Sequence, residues 1–160
     1  MSADGRGVRD SLVEMTEIVL PEDTNAKGSI FGGRVLALID KCAAIVGMRH
    51  SRSDVVTVSL DTVTFLNKVR VGHVLMLSGR INAAFGSSME IEVSVASEDP
   101  RTGEHKLTTT ALATIVAVDG RGRPKRVAAL RLDDDEQRQR AEAAARRRRA
   151  RLDARVAGGD

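Results

Sequence analysis

Residues 21–50, "PEDTNAKGSIFGGRVLALIDKCAAIVGMRH", decide how this chain is read. From Val35 to Met48 almost every residue is apolar, yet Asp40 and Lys41 interrupt the run. The apolar positions cover more than one helical face, as expected of a helix enclosed by other structure rather than lying on a surface. The spacing predicts a helix from about Gly33 to Met48, entered from a loop over residues 21–33 rich in Asn, Asp, Gly and Ser. An isolated carboxylate is costly to bury, so Asp40 has two readings. Either it ends at an exposed edge or pairs with Lys41 or an arginine, or it is a general base or nucleophile in a cleft.

Outward from the helix the period changes. Leu12 to Leu20 reads as a first strand, stopped by Pro21. Val56, Val58 and Leu60 alternate, then the phase slips to Val63 and Phe65, which places a bulge near Asp61. Leu75, Leu77, Ile81, Ala83 and Phe85 form a third alternating set. Met89, Ile91, Val93 and Val95 form a fourth, with Glu90, Glu92 and Ser94 on the opposite, half-exposed face. Leu107 to Val118 is apolar on both phases and reads as a central strand covered on both sides. Turn residues at 86–88, 99–103 and 119–122 make the connections short. The pattern is that of an α+β fold, an antiparallel β-sheet wrapped around one long central helix.

The chain of 160 residues divides into a disordered lead over 1–11, one folded unit over 12–132 and a charged Arg/Ala-rich tail over 133–160. The tail lacks the apolar area to fold alone, although its Ala, Arg, Glu and Gln favour helix. It is expected to be solvated, disordered or partly helical. With three Phe, no Trp and no Tyr, the core must be built from Val, Leu, Ile, Ala and Met. The single cysteine, Cys42, excludes an internal disulfide and fits a reducing compartment. On a buried helix it reads as a packing residue. "MSADGRGVRD" has no apolar run behind its charges, so no signal peptide is expected. The longest apolar stretch, about 14 residues with two charges inside, is too short to span a bilayer. These features point to a soluble, cytoplasmic protein with no membrane partner. Residues 138–155 hold eight Arg against Glu142 and Asp153, a net +6, which leaves −3 for the rest of a chain whose formal charge is +3. A weak nucleic-acid contact would therefore rest on the tail alone, through Arg146–Arg149.

Other residues carry chemistry in combination. Gly32 and Gly33 stand where the helix begins, beside backbone N–H groups that a helix leaves unpaired. The positive end of the helix dipole makes such a start an oxyanion site; simple loop flexibility explains two glycines equally well. Asn25 is placed to orient a carbonyl or a water, or serves only as a turn residue. Asp40 lies seven residues beyond Gly33, about 10 Å along a helix axis. One helix does not bring both its start and Asp40 to the same reacting atom, whereas a two-fold dimer can. His50, His73 and His105 lack metal-ligand spacing, so no metal is expected. GSIFGG matches neither phosphate-loop nor dinucleotide patterns, and there is no serine nucleophile elbow.

Together, "PEDTNAKGSIFGGRVLALIDKCAAI", "VVTVSLDTVTF" and "GSSMEIEVSV" resemble the hotdog-fold acyl-CoA thioesterases of the brain acyl-CoA hydrolase and bacterial YciA type, over about residues 12–130. The resemblance implies a hotdog fold and hydrolysis of acyl-CoA to free acid and coenzyme A. Coenzyme A is then part of substrate and product, and no separate cofactor is expected. It implies Asp40 as base or nucleophile, Asn25 acting across a subunit interface, and the amides of Gly32 and Gly33 polarising the thioester. It further implies dimers, commonly assembled as trimers of dimers, with coenzyme A near the subunit interface and Gly86, Ser87 and Ser88 in a loop that meets it. Charge alone nominates Arg49, His50, Arg123 and Lys125 as phosphate contacts. Lys68 and His73 stand where relatives often carry proline and aspartate.

Two rival readings remain. A hotdog domain that binds acyl-CoA without hydrolysing it would not need Asp40, and a nucleic-acid-associated protein would work through the tail. A hotdog dehydratase is disfavoured because no His precedes Arg49 in the loop or helix.

Overall fold

The computed structural model describes residues 5–159. Helix α1 spans Gly32–Ser51 and ends where Arg52 takes left-handed backbone (φ 55°), its N–H returning to the Met48 carbonyl, a common helix stop. The strands are β1 (Arg6–Gly7), β2 (Val13–Ile18), β3 (Asp54–Phe65), β4 (Val74–Phe85), β5 (Ser88–Asp99), β6 (Glu104–Val118) and β7 (Leu130–Arg131), followed by helix α2 (Asp135–Ala157). Five of them form an antiparallel sheet in the order β2-β4-β5-β6-β3. β5 is thus the middle strand; β6, read from the sequence as central, is its interior neighbour. The slip near Asp61 is present: the β3–β6 register shifts between Asp61 and Thr64, with Thr62 at φ 53°.

α1 packs on one face of this sheet. Leu38, Ile39, Cys42, Ala43 and Val46 meet Leu75, Leu77, Ile81, Ile91, Val93, Ala113 and Ile115, all almost wholly buried. Full burial of one such large side chain contributes about 1.5–3 kcal/mol, so this seam dominates the fold. Close approach is possible because Gly79 lies under the helix: a Cβ there would sit 2.8 Å from Cys42 Sγ. Burial pushes the Cys42 thiol up to about 11, which keeps it protonated and in the packing role read from the sequence.

At the chain ends the structure departs from a disordered lead and a solvated tail, while the helical alternative for the tail holds. From residue 5 the lead is ordered: β1 pairs in parallel with β7, and Val8 and Ser11 are buried. Residues 1–4 lie outside the described residues. The tail is the 23-residue helix α2, capped by Asp134, whose side chain accepts from the Gln137 N–H at 2.8 Å. It lies on the sheet face opposite α1. There Arg147 binds Glu90 through two hydrogen bonds of 2.6 and 3.0 Å, and Arg140 binds both oxygens of Glu92 at 2.9 Å. Arg148 stacks over the Phe85 ring at 5.0 Å. Glu90, expected on a half-exposed face, is 1% exposed. The tail still has little apolar area of its own; carboxylates on the sheet supply the partners that its composition lacks. No helix among the described residues is long and apolar enough to cross a membrane.

Candidate active site

The loop before α1 is built around two side chains. Asp23 accepts from the Leu20 N–H at 3.0 Å and pairs with Arg34 Nε at 3.1 Å, tying the loop to the first turn of the helix. The Asn25 side-chain oxygen accepts from the N–H groups of Lys27 (2.9 Å) and Ser29 (3.3 Å), an Asx-type turn. The oxygen of Asn25 thus shapes the turn, while its NH2 group makes no protein hydrogen bond among the described residues. Asn25 and Gly32 line a cavity of about 440 Å³ with Ile30, Val35, Phe65 and Val69 among its walls. The amides of Gly32 and Gly33 open α1 and have no intrahelical acceptor within reach. Neither glycine has positive φ, and a Cβ at Gly33 would meet nothing within 4 Å. Neither backbone strain nor internal packing accounts for glycine at 33; the space beside that amide is left open.

Asp40 lies outside this cavity. It is half-buried, and its Oδ1 accepts a 2.5 Å hydrogen bond from the hydroxyl of Thr57 on β3. Sequence reading passed over Thr57, because one threonine in a β-strand is ordinary; only the packing of α1 across β3 gives it a role. β3 is an edge strand of 12 residues, paired with β6 alone. Val56 and Val58, on either side of Thr57, are 47% and 48% exposed. A long, apolar, unpaired edge invites another strand. Within one subunit, Asp40 is eight residues from Gly32, about 12 Å along the axis. Within the chain, the helix start with Asn25 and the carboxylate with Thr57 are thus two separate groups.

The residues nominated for coenzyme A gather at the other end of α1. The Gly86 and Ser87 carbonyls accept from Val127 (2.8 Å) and Ala117 (2.9 Å), and Lys125 N–H reaches Ala117 O at 2.8 Å. Ser88 lines a narrow groove under Arg148, Arg151 and Arg155 of α2. Arg123 is held by Asp119 at 3.0 Å, and Arg49 donates to the Leu12 carbonyl. His50 is fully buried, with Nε2 2.9 Å from the Ala128 carbonyl and Nδ1 without a partner. Desolvation lowers its pKa, so the ring stays neutral and packs the C-terminal end of α1.

A five-stranded antiparallel sheet folded about one long apolar helix is the hotdog architecture. Comparison with known proteins agrees. The thioesterase superfamily model matches residues 27–104. The Bacillus subtilis protein named uncharacterized acyl-CoA thioester hydrolase YkhA is 38% identical over 119 residues, 74% of this chain and 69% of its own length. An apo hexameric acyl-CoA thioesterase superposes with a TM-score of 0.88 at 42% identity, covering 93% of this chain and 96% of that one. An acyl-CoA hydrolase from Staphylococcus aureus, solved with butyryl coenzyme A and coenzyme A, gives 0.86 at 33% identity over 96% and 93% of the two chains. The chain belongs to the thioesterase superfamily and has its hotdog fold.

Proposed function

We propose that this protein hydrolyses acyl-CoA thioesters to a free carboxylic acid and coenzyme A. The reaction would use Asp40 of one subunit with Asn25 and the Gly32–Gly33 amides of another. The observation that carries the reading is the Asp40–Thr57 pair beside the open edge of β3. Thr57 donates to one carboxylate oxygen and leaves the other for the reaction. With water as nucleophile, the free oxygen takes a proton as the hydroxide oxygen attacks the thioester carbon. The carbonyl oxygen then gathers charge against the two glycine amides at the positive end of α1. Collapse breaks the C–S bond, and the departing sulfur takes up the proton. Direct attack by Asp40, with an anhydride that water then opens, uses the same oxygen.

A relative supports the choice of residues. The Staphylococcus aureus hydrolase was also solved with single alanine substitutions of an asparagine, an aspartate and a threonine. These are spaced 15 and 17 residues apart, as Asn25, Asp40 and Thr57 are. Pairing of two β3 edges about a two-fold axis would cover Val56 and Val58 and set each Asp40 at the interface. The hexameric relatives, that of Yersinia pestis among them, favour assembly of such dimers into trimers.

Coenzyme A release from a panel of acyl-CoA thioesters tests the reading. Wild type should turn over at least one member, and Asp40→Asn should lose about two orders of magnitude or more in kcat. Binding without thiol release from any member would make the protein an acyl-CoA sensor instead.

A further inference from the structure

We propose that Lys68 and Arg70 receive the phosphate groups of the substrate's coenzyme A portion; the assignment rests on the acyl-CoA reading above. Both residues line a recess of about 280 Å³ with His73, Asp99, Glu104 and Lys106. Asn67 and Lys68 belong to the walls of this recess and also to those of the cavity that holds Asn25 and Gly32. One segment, residues 66–73, therefore forms a ridge with the helix start on one side and a charged hollow on the other.

The ridge is held in place. Val69 is fully buried and its carbonyl accepts from Ile30 at 2.8 Å, while Leu66 N–H reaches Thr108 O at 2.7 Å. Asn67 Nδ2 donates to the Leu107 carbonyl at 2.7 Å. A side chain on such a scaffold loses less freedom when it binds than one on a loose loop.

Charge bookkeeping selects the two residues. In the recess Lys106 pairs with Glu104 at 3.5 Å, and His73 lies 4.0 Å from Asp99. Lys68 and Arg70 are exposed and have no carboxylate partner among the described residues. Other cations of the fold are engaged, Arg123 on Asp119, Arg140 on Glu92 and Arg147 on Glu90, whereas within this recess these two are left for a ligand. Coenzyme A carries a diphosphate and a 3′-phosphate, and a lysine point charge beside an arginine fork suits such oxygens. Asp99 and Glu104 repel the same phosphates, which keeps them on the ridge side of the hollow.

Steady-state hydrolysis of an acyl-CoA and the matching acyl-pantetheine, by wild type and by Lys68→Ala/Arg70→Ala, tests the site. Calorimetric titration with coenzyme A accompanies it. The double variant should raise KM for acyl-CoA by about five- to twentyfold with kcat little changed, and the rise should shrink as salt is added. It should leave acyl-pantetheine unaffected and weaken coenzyme A binding by a similar factor. Lys68→Arg/Arg70→Lys should keep most of the affinity. An unchanged KM for acyl-CoA, or an equal rise for acyl-pantetheine, would overturn the assignment. If wild type cleaves no thioester while the double variant still loses coenzyme A affinity, the phosphate site stands and the hydrolase reading falls.

Discussion

The two long helices lie on opposite faces of one sheet and are held by opposite physics. α1 presents Leu38, Ile39, Cys42, Ala43 and Val46 to the sheet, each no more than 1% exposed. α2 presents Arg140, Arg147 and Arg151 to Glu92, Glu90 and Asp61, with Ala144 and Gln137 as its buried residues. Apolar burial needs only area and shape, and salt does not weaken it. Ionic docking needs a particular partner for each charge and leaves a costly remainder when one is removed. The first kind of contact builds the fold; the second fastens an appendage to it.

Removing one charge should break the weaker contact most sharply. Arg147→Ala leaves the buried Glu90 carboxylate without its bidentate partner, with Asn82 and Arg151 still beside it, and should cost about 2–3 kcal/mol, read as loss of helix protection over residues 135–157 in hydrogen exchange. Glu90→Gln in the same chain should recover much of the loss, since Asn82 Nδ2 already lies 3.1 Å from that side chain. On the other face, Leu38→Ala should lower global stability by about 3 kcal/mol, measured by denaturant unfolding. Added salt should leave that difference unchanged while it loosens α2. An equal salt response for both helices would erase the distinction.

Smaller effects sharpen it further. His50 is buried at the end of α1 and its pKa is lowered, chiefly by desolvation. The unfolded chain then binds the proton more readily than the folded one, so stability is fully present above about pH 6.5 and falls as pH drops toward the folded value. His50→Gln should flatten that slope in acid denaturation. Cys42, held near 11, should resist thiol reagents at pH 8 in the native protein and react at once after unfolding, with no change in stability before that.

The same contrast explains what could be read in the sequence. α1 was legible because a helix buried on most sides announces itself as an apolar run, and the slip between Leu60 and Val63 marked the bulge at Asp61. Asp40 stood out because it broke that run. Thr57 carried no such signal: its meaning depends on α1 crossing β3, a contact 17 residues away in sequence. The docking of α2 was hidden for a related reason. Arg147 and Glu90 are 57 residues apart, and composition alone cannot pair them, so a charge-rich tail read as solvated. The ordered lead was missed because two residues of β1 pairing with β7 leave no periodicity to find.

Subunit complementation tests the central claim, one site made from two half-sites, most directly. Asn25→Ala and Asp40→Asn each disable a different half-site, so each alone should be nearly inactive in coenzyme A release. Unfolding the two together and refolding them as a mixture should restore about a quarter of wild-type turnover, because about half the dimers would be mixed and each would keep one intact site. A mixture no more active than its parents, from subunits shown to have exchanged, would contradict the shared site and return catalysis to a single chain.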